Sequence, residues 1–213
     1  MRFIGIDLAG KETNPSGVCY IQGCTLMEIT TLYTNNDIIT YVLSRKPTYI
    51  AVDAPFDFPK TGTLRKCDLI LKKLGLNPLP PILEGMRLLV LRAKFLKSHL
   101  EKRGIAVIET FPFGALKLLG YKRKPKSYSE RYRTALDLIR LFGIVRWKKI
   151  SLAHLSPHEF DALICAIVAY CVYIGKFVKV KTDDGEIYFP VTSDAMKRDF
   201  DERISQELRK LKS

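Results

Sequence analysis

The sequence predicts an α/β fold: a mixed five-stranded sheet with helices on both faces, plus a helical insertion and a C-terminal hairpin and helix. Three observations predict it. Strand-length apolar runs recur at Arg2–Asp7, Tyr49–Val52 and Ile105–Ile108, and unbroken apolar runs suit strands covered on both faces. Val18–Ile21 and Thr25–Tyr33 flank Gly23-Cys24 as the two arms of a hairpin. Stretches with apolar residues at helical spacing alternate with these runs, which is the pattern of helices packed on a sheet.

Taken in order, Arg2–Asp7 is a short strand, followed by a polar loop containing glycine and proline through Gly17 and then the hairpin. Asn35 or Asn36 caps a helix over Asp37–Arg45, with Ile38, Ile39, Val42 and Leu43 at helical spacing and Pro47 ending it. Tyr49–Val52 is the next strand. Leu64–Leu74 reads as a short helix, and Asn77-Pro78-Leu79-Pro80-Pro81 as a rigid break. Leu83–Arg103 is a long helix stopped by Gly104, ahead of the strand Ile105–Ile108. A helix from about Ser129 to Phe142 follows a basic stretch. Ser156-Pro157-His158-Glu159 opens an apolar helix to Gly175, with serine at the N-cap, proline at the first position and glutamate at the third. Phe177–Val180 and Ile187–Phe189 around Asp184-Gly185 read as a late hairpin, and an amphipathic helix covers Ser193–Leu211. We expect one domain over residues 1–213, with the insertion at about 64–103 and the extension at about 176–213.

The 35 basic and 22 acidic residues leave a net charge of +13, which favours a polyanionic partner such as DNA or RNA, or a solvated basic surface. The five cysteines are odd in number and lack C-x-x-C spacing, so neither a zinc knuckle nor a disulfide framework is indicated. Asp7, Lys11 and Glu12 interrupt the opening segment, and the run from Ala162 to Gly175 is too short to span a bilayer. A cytoplasmic protein without a membrane partner is expected. A homodimer through the late hairpin and terminal helix is compatible with the sequence.

Several strands end in carboxylates. Asp7, Asp53 and Glu109 each close an apolar run, where desolvating a carboxylate is costly unless something compensates. A hard divalent cation is the natural compensation, and oxygen ligands suit Mg²⁺ or Mn²⁺. His158 and Asp161, three apart, share one face of a helix's first turn and are placed to complete such a site. Two ions about 4 Å apart would activate a water and stabilise the departing oxygen of a phosphodiester, with His158 as proton carrier. Each residue also has a plainer reading. Asp7 and Asp53 can simply terminate strands, Asp57 can replace Asp53, Glu109 can cap the next helix, and His158 can be surface.

Five segments together resemble the predicted RNase H-like nucleases of domain-of-unknown-function family 429. They are Phe3-Ile4-Gly5-Ile6-Asp7-Leu8-Ala9, Ile50-Ala51-Val52-Asp53-Ala54-Pro55, Arg65-Lys66-Cys67-Asp68, Val107-Ile108-Glu109-Thr110-Phe111-Pro112 and His158-Glu159-Phe160-Asp161 through Ala166. They span nearly the whole chain in order. The resemblance implies an RNase H-like fold with Asp7, Asp53, Glu109 and Asp161 as metal ligands. The His-x-x-Asp pair is also similar to the helix pair of Holliday-junction resolvases.

Nucleic-acid contacts are expected from Arg65, which can face a phosphate bidentately or pair with Asp68 one turn away. They are also expected from Lys122, Arg123, Lys124 and Lys126, flanked by Tyr121 and Tyr128, and from Arg131 and Arg133, which extend the basic stretch into the next helix. Arg146-Trp147-Lys148-Lys149 is a second basic candidate, although Trp147 can instead be core. The leading reading is a metal-dependent nuclease. A catalytically inert nucleic-acid-binding module is the main rival. An actin-like phosphotransferase or ATPase needs a second domain and further glycine-rich phosphate loops, and neither is visible.

Overall fold

The computed structural model describes residues 1–210. Arg2–Asp7 (β1), Ser16–Gln22 (β2) and Thr25–Leu32 (β3) form an antiparallel meander. Asn35–Arg45 (α1) returns the chain to Tyr49–Asp53 (β4), which lies parallel to β1. Thr34, rather than Asn35 or Asn36, is the N-cap of α1, in a reciprocal capping box with Asp37. Lys66–Lys73 (α2) and Glu84–Glu101 (α3) precede Ala106–Thr110 (β5), which is parallel to β4. Pro112–Leu118 (α4), Tyr128–Leu141 (α5), the two-residue strand Val145–Arg146 (β6) and Pro157–Tyr173 (α6) follow. Phe177–Thr182 (β7), Gly185–Pro190 (β8) and Asp194–Lys210 (α7) finish the described chain. The expected end of the terminal helix at Leu211 lies outside the described residues.

The fold is mixed α/β as expected, with β3-β2-β1-β4-β5 as five contiguous strands of one mixed sheet. The sheet itself is larger. Among the described residues its order is β6-β3-β2-β1-β4-β5-β8-β7, eight strands. The late hairpin does not stand apart: β8 pairs with β5 in parallel, and β7 becomes the edge. At the other edge β6 pairs with β3 over two residues, too short a run to leave a pattern in the sequence.

Two apolar layers cover the sheet. Ile4, Ile6, Val18, Ile50, Val52 and Val107 pack under α1 and α3. Phe3, Cys19, Ile21, Ala51 and Ile108 face the layer built around α6. The insertion is therefore part of the core, because Ala93, Leu96 and Leu100 of α3 close one face. After its polar first turn helix α6 is apolar on all sides, and Ala162–Ala169 is buried throughout. Among the described residues no helix is long and apolar enough to cross a membrane.

Candidate metal centre

Asp7 and Asp53 are direct partners in the parallel β1–β4 ladder, so their side chains leave neighbouring strands on the same face at the carboxyl end. That face carries α6. Close approach of α6 is allowed by two glycines. A Cβ on Gly5 would fall 2.1 Å from both the Ala162 carbonyl oxygen and the Ala166 nitrogen, and one on Gly17 would fall 2.1 Å from the His158 carbonyl oxygen. No side chain larger than hydrogen fits at either place. The first turn of α6, fixed by Pro157 and the Ser156–Glu159 capping box, is thereby set against the ends of β1 and β2. Asp161 comes down beside the two strand aspartates.

The result is a cluster in which one carboxylate oxygen from each of Asp7, Asp53 and Asp161 lies within 4.8 Å of the others. His158 Nδ1 sits 2.7 Å from Asp7 Oδ2. The Lys124 ammonium donates to Asp161 Oδ2, while the buried Asp161 Oδ1 has no hydrogen-bond partner among the described residues. Desolvation and neighbouring negative charge raise Asp53 and Asp161. Burial, then the charges of Asp7 and Asp161, push Asp53 well above the usual carboxylate range. Burial raises Asp161 to about 6 against the pull of Lys124. The hydrogen bond to Asp7 raises His158 despite its partial burial. Burial works against the charge on Lys124, but attraction from Asp161, Asp53 and Asp7 prevails and its value rises. Three crowded acids, one of them with an orphaned buried oxygen, are a donor set that fits a hard divalent cation.

Glu109 is not in this cluster. It pairs in register with Val52, whereas Thr110 pairs with Asp53, so strand alternation turns the Glu109 carboxylate away from the face that carries Asp7 and Asp53. It binds Arg65 instead, whose Nη1 donates to Glu109 Oε2 at 2.9 Å. The Phe56 backbone N–H donates to the same oxygen at 3.1 Å. Arg65 Nε and Nη2 each donate to Asp68 at 2.9 Å. Arg65 is only 2% exposed: its expected pairing with Asp68 is present but buried rather than on the surface, and its guanidinium is committed to carboxylates. It is the centre of a buried two-carboxylate network.

The basic residues meet four different fates. Lys122 and Lys126 have exposed side chains. Arg123 pairs with Glu130 across the α5 capping box, and Lys124 turns inward to the cluster. Arg131 is buried, donating to the backbone oxygens of Leu155 and Lys126 at 2.7 Å each. It braces the loop and does not present its charge. Trp147 lies 44% exposed, outside the core, with Lys149 over its ring. Sequence reasoning missed Arg92 altogether. From α3 it donates to the oxygens of Ala9, Lys11 and Tyr33 and to Asn35, pinning the loop that follows Asp7. An arginine within an amphipathic helix gives no signal of that task.

No family model matches the chain, and no curated protein matches it. Among solved structures it is similar to a RuvC from T. thermophilus in complex with a Holliday junction substrate. That likeness has 16% sequence identity and a TM-score of 0.47, covering 82% of this chain and 96% of that one.

Proposed function

We propose that this chain is a metal-dependent nuclease that hydrolyses phosphodiesters of DNA or RNA, similar to the predicted RNase H-like nucleases of domain-of-unknown-function family 429. The observation that carries this reading is the convergence of Asp7, Asp53 and Asp161, with Asp161 Oδ1 unpartnered, at the carboxyl end of a mixed sheet. Such ends are where open α/β sheets place their ligands. The net charge of +13 supports a polyanionic substrate.

Asp7, Asp53 and Asp161 would hold Mg²⁺ or Mn²⁺, and the bound cation supplies Lewis acidity toward the scissile phosphate and an activated water. His158, bonded to Asp7, is oriented to accept or return a proton at its free Nε2. Lys124 provides the neutralising charge when no metal is present and is positioned to meet a phosphate oxygen once displaced from Asp161. Glu109 acts in the fold, holding Arg65 and the Phe56 turn behind Asp53. The test is cleavage of labelled single-stranded, duplex and four-way-junction DNA and of RNA with Mn²⁺ or Mg²⁺. Wild type is expected to cut at least one of them, and a folded Asp7→Asn protein none. Cleavage by a clean Asp7→Asn preparation would exclude this centre.

The Lys124–Asp161 contact favours one second reading. An ammonium that already neutralises the cluster is what a metal-free, inert nucleic-acid-binding module would keep. Binding of nucleic acid with no Mn²⁺ uptake and no cleavage would select that module.

A further inference from the structure

A cavity of about 190 Å³ opens beside the carboxylate cluster and shares Asp7 and Asp53 with it. Its walls are mainly apolar. Pro78 and Leu79 come from the proline-rich break, Met86 and Leu89 from α3, and Phe111 from the N-cap of α4. Its polar lining includes the buried network of Arg65, Asp68 and Glu109. The cluster alone requires no such chamber, because a phosphodiester backbone is polar and gains nothing from apolar walls.

We propose that this cavity receives the base of an unpaired nucleotide whose own phosphate lies at the Asp7–Asp53–Asp161 cluster. The proposal deepens the nuclease reading and rests on it. A nucleobase has two apolar faces and a polar edge, and the cavity has the matching arrangement: apolar walls for the faces and fixed carboxylate acceptors for edge N–H groups. Because Arg65 holds both Glu109 and Asp68, their acceptor positions are set before any base arrives. The cavity lies under α3 and the 77–81 break, so a base inside a stacked duplex cannot occupy it. Only a single-stranded or extruded nucleotide has the freedom to enter, and an already unpaired base enters at least cost. Leu79, 63% exposed at the rim on a segment stiffened by Pro78, Pro80 and Pro81, is placed to cover the base edge-on.

The test separates base binding from metal chemistry. With Mn²⁺ present, the affinities of a nucleoside 5′-monophosphate and of ribose 5-phosphate are measured by calorimetry. Wild type is expected to hold the nucleotide at least about tenfold more tightly than the sugar phosphate. Met86→Trp, which fills the chamber, and Leu79→Trp, which blocks its rim from an exposed position, are both expected to abolish that preference. Neither is expected to change Mn²⁺ affinity. In the companion assay, oligonucleotides carrying an abasic site next to the cut are expected to be cleaved at least about tenfold more slowly than intact ones. Equal affinity for nucleotide and sugar phosphate, or equal cleavage with and without the base, overturns the base pocket and leaves the nuclease standing. Absence of Mn²⁺ uptake together with absence of cleavage overturns both.

Discussion

Burial raises the Asp161 carboxyl from its ordinary 3.8 to about 6, which fixes how the centre must respond to pH. The folded state holds the Asp161 proton over a range where the unfolded chain has lost it. This group's contribution is therefore present below the ordinary value and lost as pH rises through about 6. Raised Asp53 acts with the same sign. A divalent ion binds only the ionised acids, so it should stabilise little near pH 5 and much more near pH 7.5, by roughly 2–3 kcal/mol at a hundredfold excess over its dissociation constant. Thermal unfolding with and without Mn²⁺ at the two pH values checks this, and equal stabilisation at both contradicts it. Arg65→Met leaves Glu109 and Asp68 buried without a counter-charge, and urea unfolding should show a loss of about 3–5 kcal/mol. A loss under about 1 kcal/mol would mean the guanidinium is not needed for folding. Asp7 and Asp53 were legible because each closes an apolar strand, and Asp161 because it stands in the first turn where the helix becomes apolar. The fate of Glu109 was not, because whether a strand-end carboxylate faces its neighbours depends on a register one residue either way, and its partner Arg65 lies 44 positions away.

Elements meet where their sequences let them. Helix α6 rests on β1 and β2 through Gly5 and Gly17, and that contact brings a helix aspartate to two strand aspartates. Gly5→Ala should therefore lower stability by at least about 2 kcal/mol, since backbone rather than a flexible side chain must move. It should also weaken Mn²⁺ binding by shifting Asp161. Calorimetry and chemical denaturation of the same preparation check both, and an unshifted Mn²⁺ affinity would detach the glycine contact from the centre. Strands β1 to β5 and helix α6 were readable from apolar period and capping signals. The joining of the hairpin β7–β8 to β5 was not, because hairpins announce their own pairing and not the edge they join. The two residues of β6 carry no pattern at all.

Charge belongs to the whole molecule, but not all of it is offered to a partner. Arg65, Arg92 and Arg131 are buried and committed to internal acceptors, and Arg123 is paired with Glu130. Lys122 and Lys126 present exposed ammonium groups beside the loop that sends Lys124 into the cluster. Lys122→Ala/Lys126→Ala should weaken nucleic-acid binding about equally across sequences and flatten the salt dependence by roughly 1.5–2 units of slope. A binding titration over salt concentration reads this directly, and an unchanged slope returns the loop to the solvated surface. Composition made the net charge plain, but the division of arginines between interior and surface appears only once the chain is folded.

In the proposed centre three carboxylates from two strands and one helix hold the cation, and Glu109 stays outside it. Anomalous diffraction from crystals grown with Mn²⁺ tests it most directly. The predicted map has its manganese peak among Asp7, Asp53 and Asp161, with Lys124 withdrawn from Asp161 and Arg65 still bound to Glu109. No peak at that cluster, or a peak ligated by Glu109 with Arg65 displaced, would contradict the account.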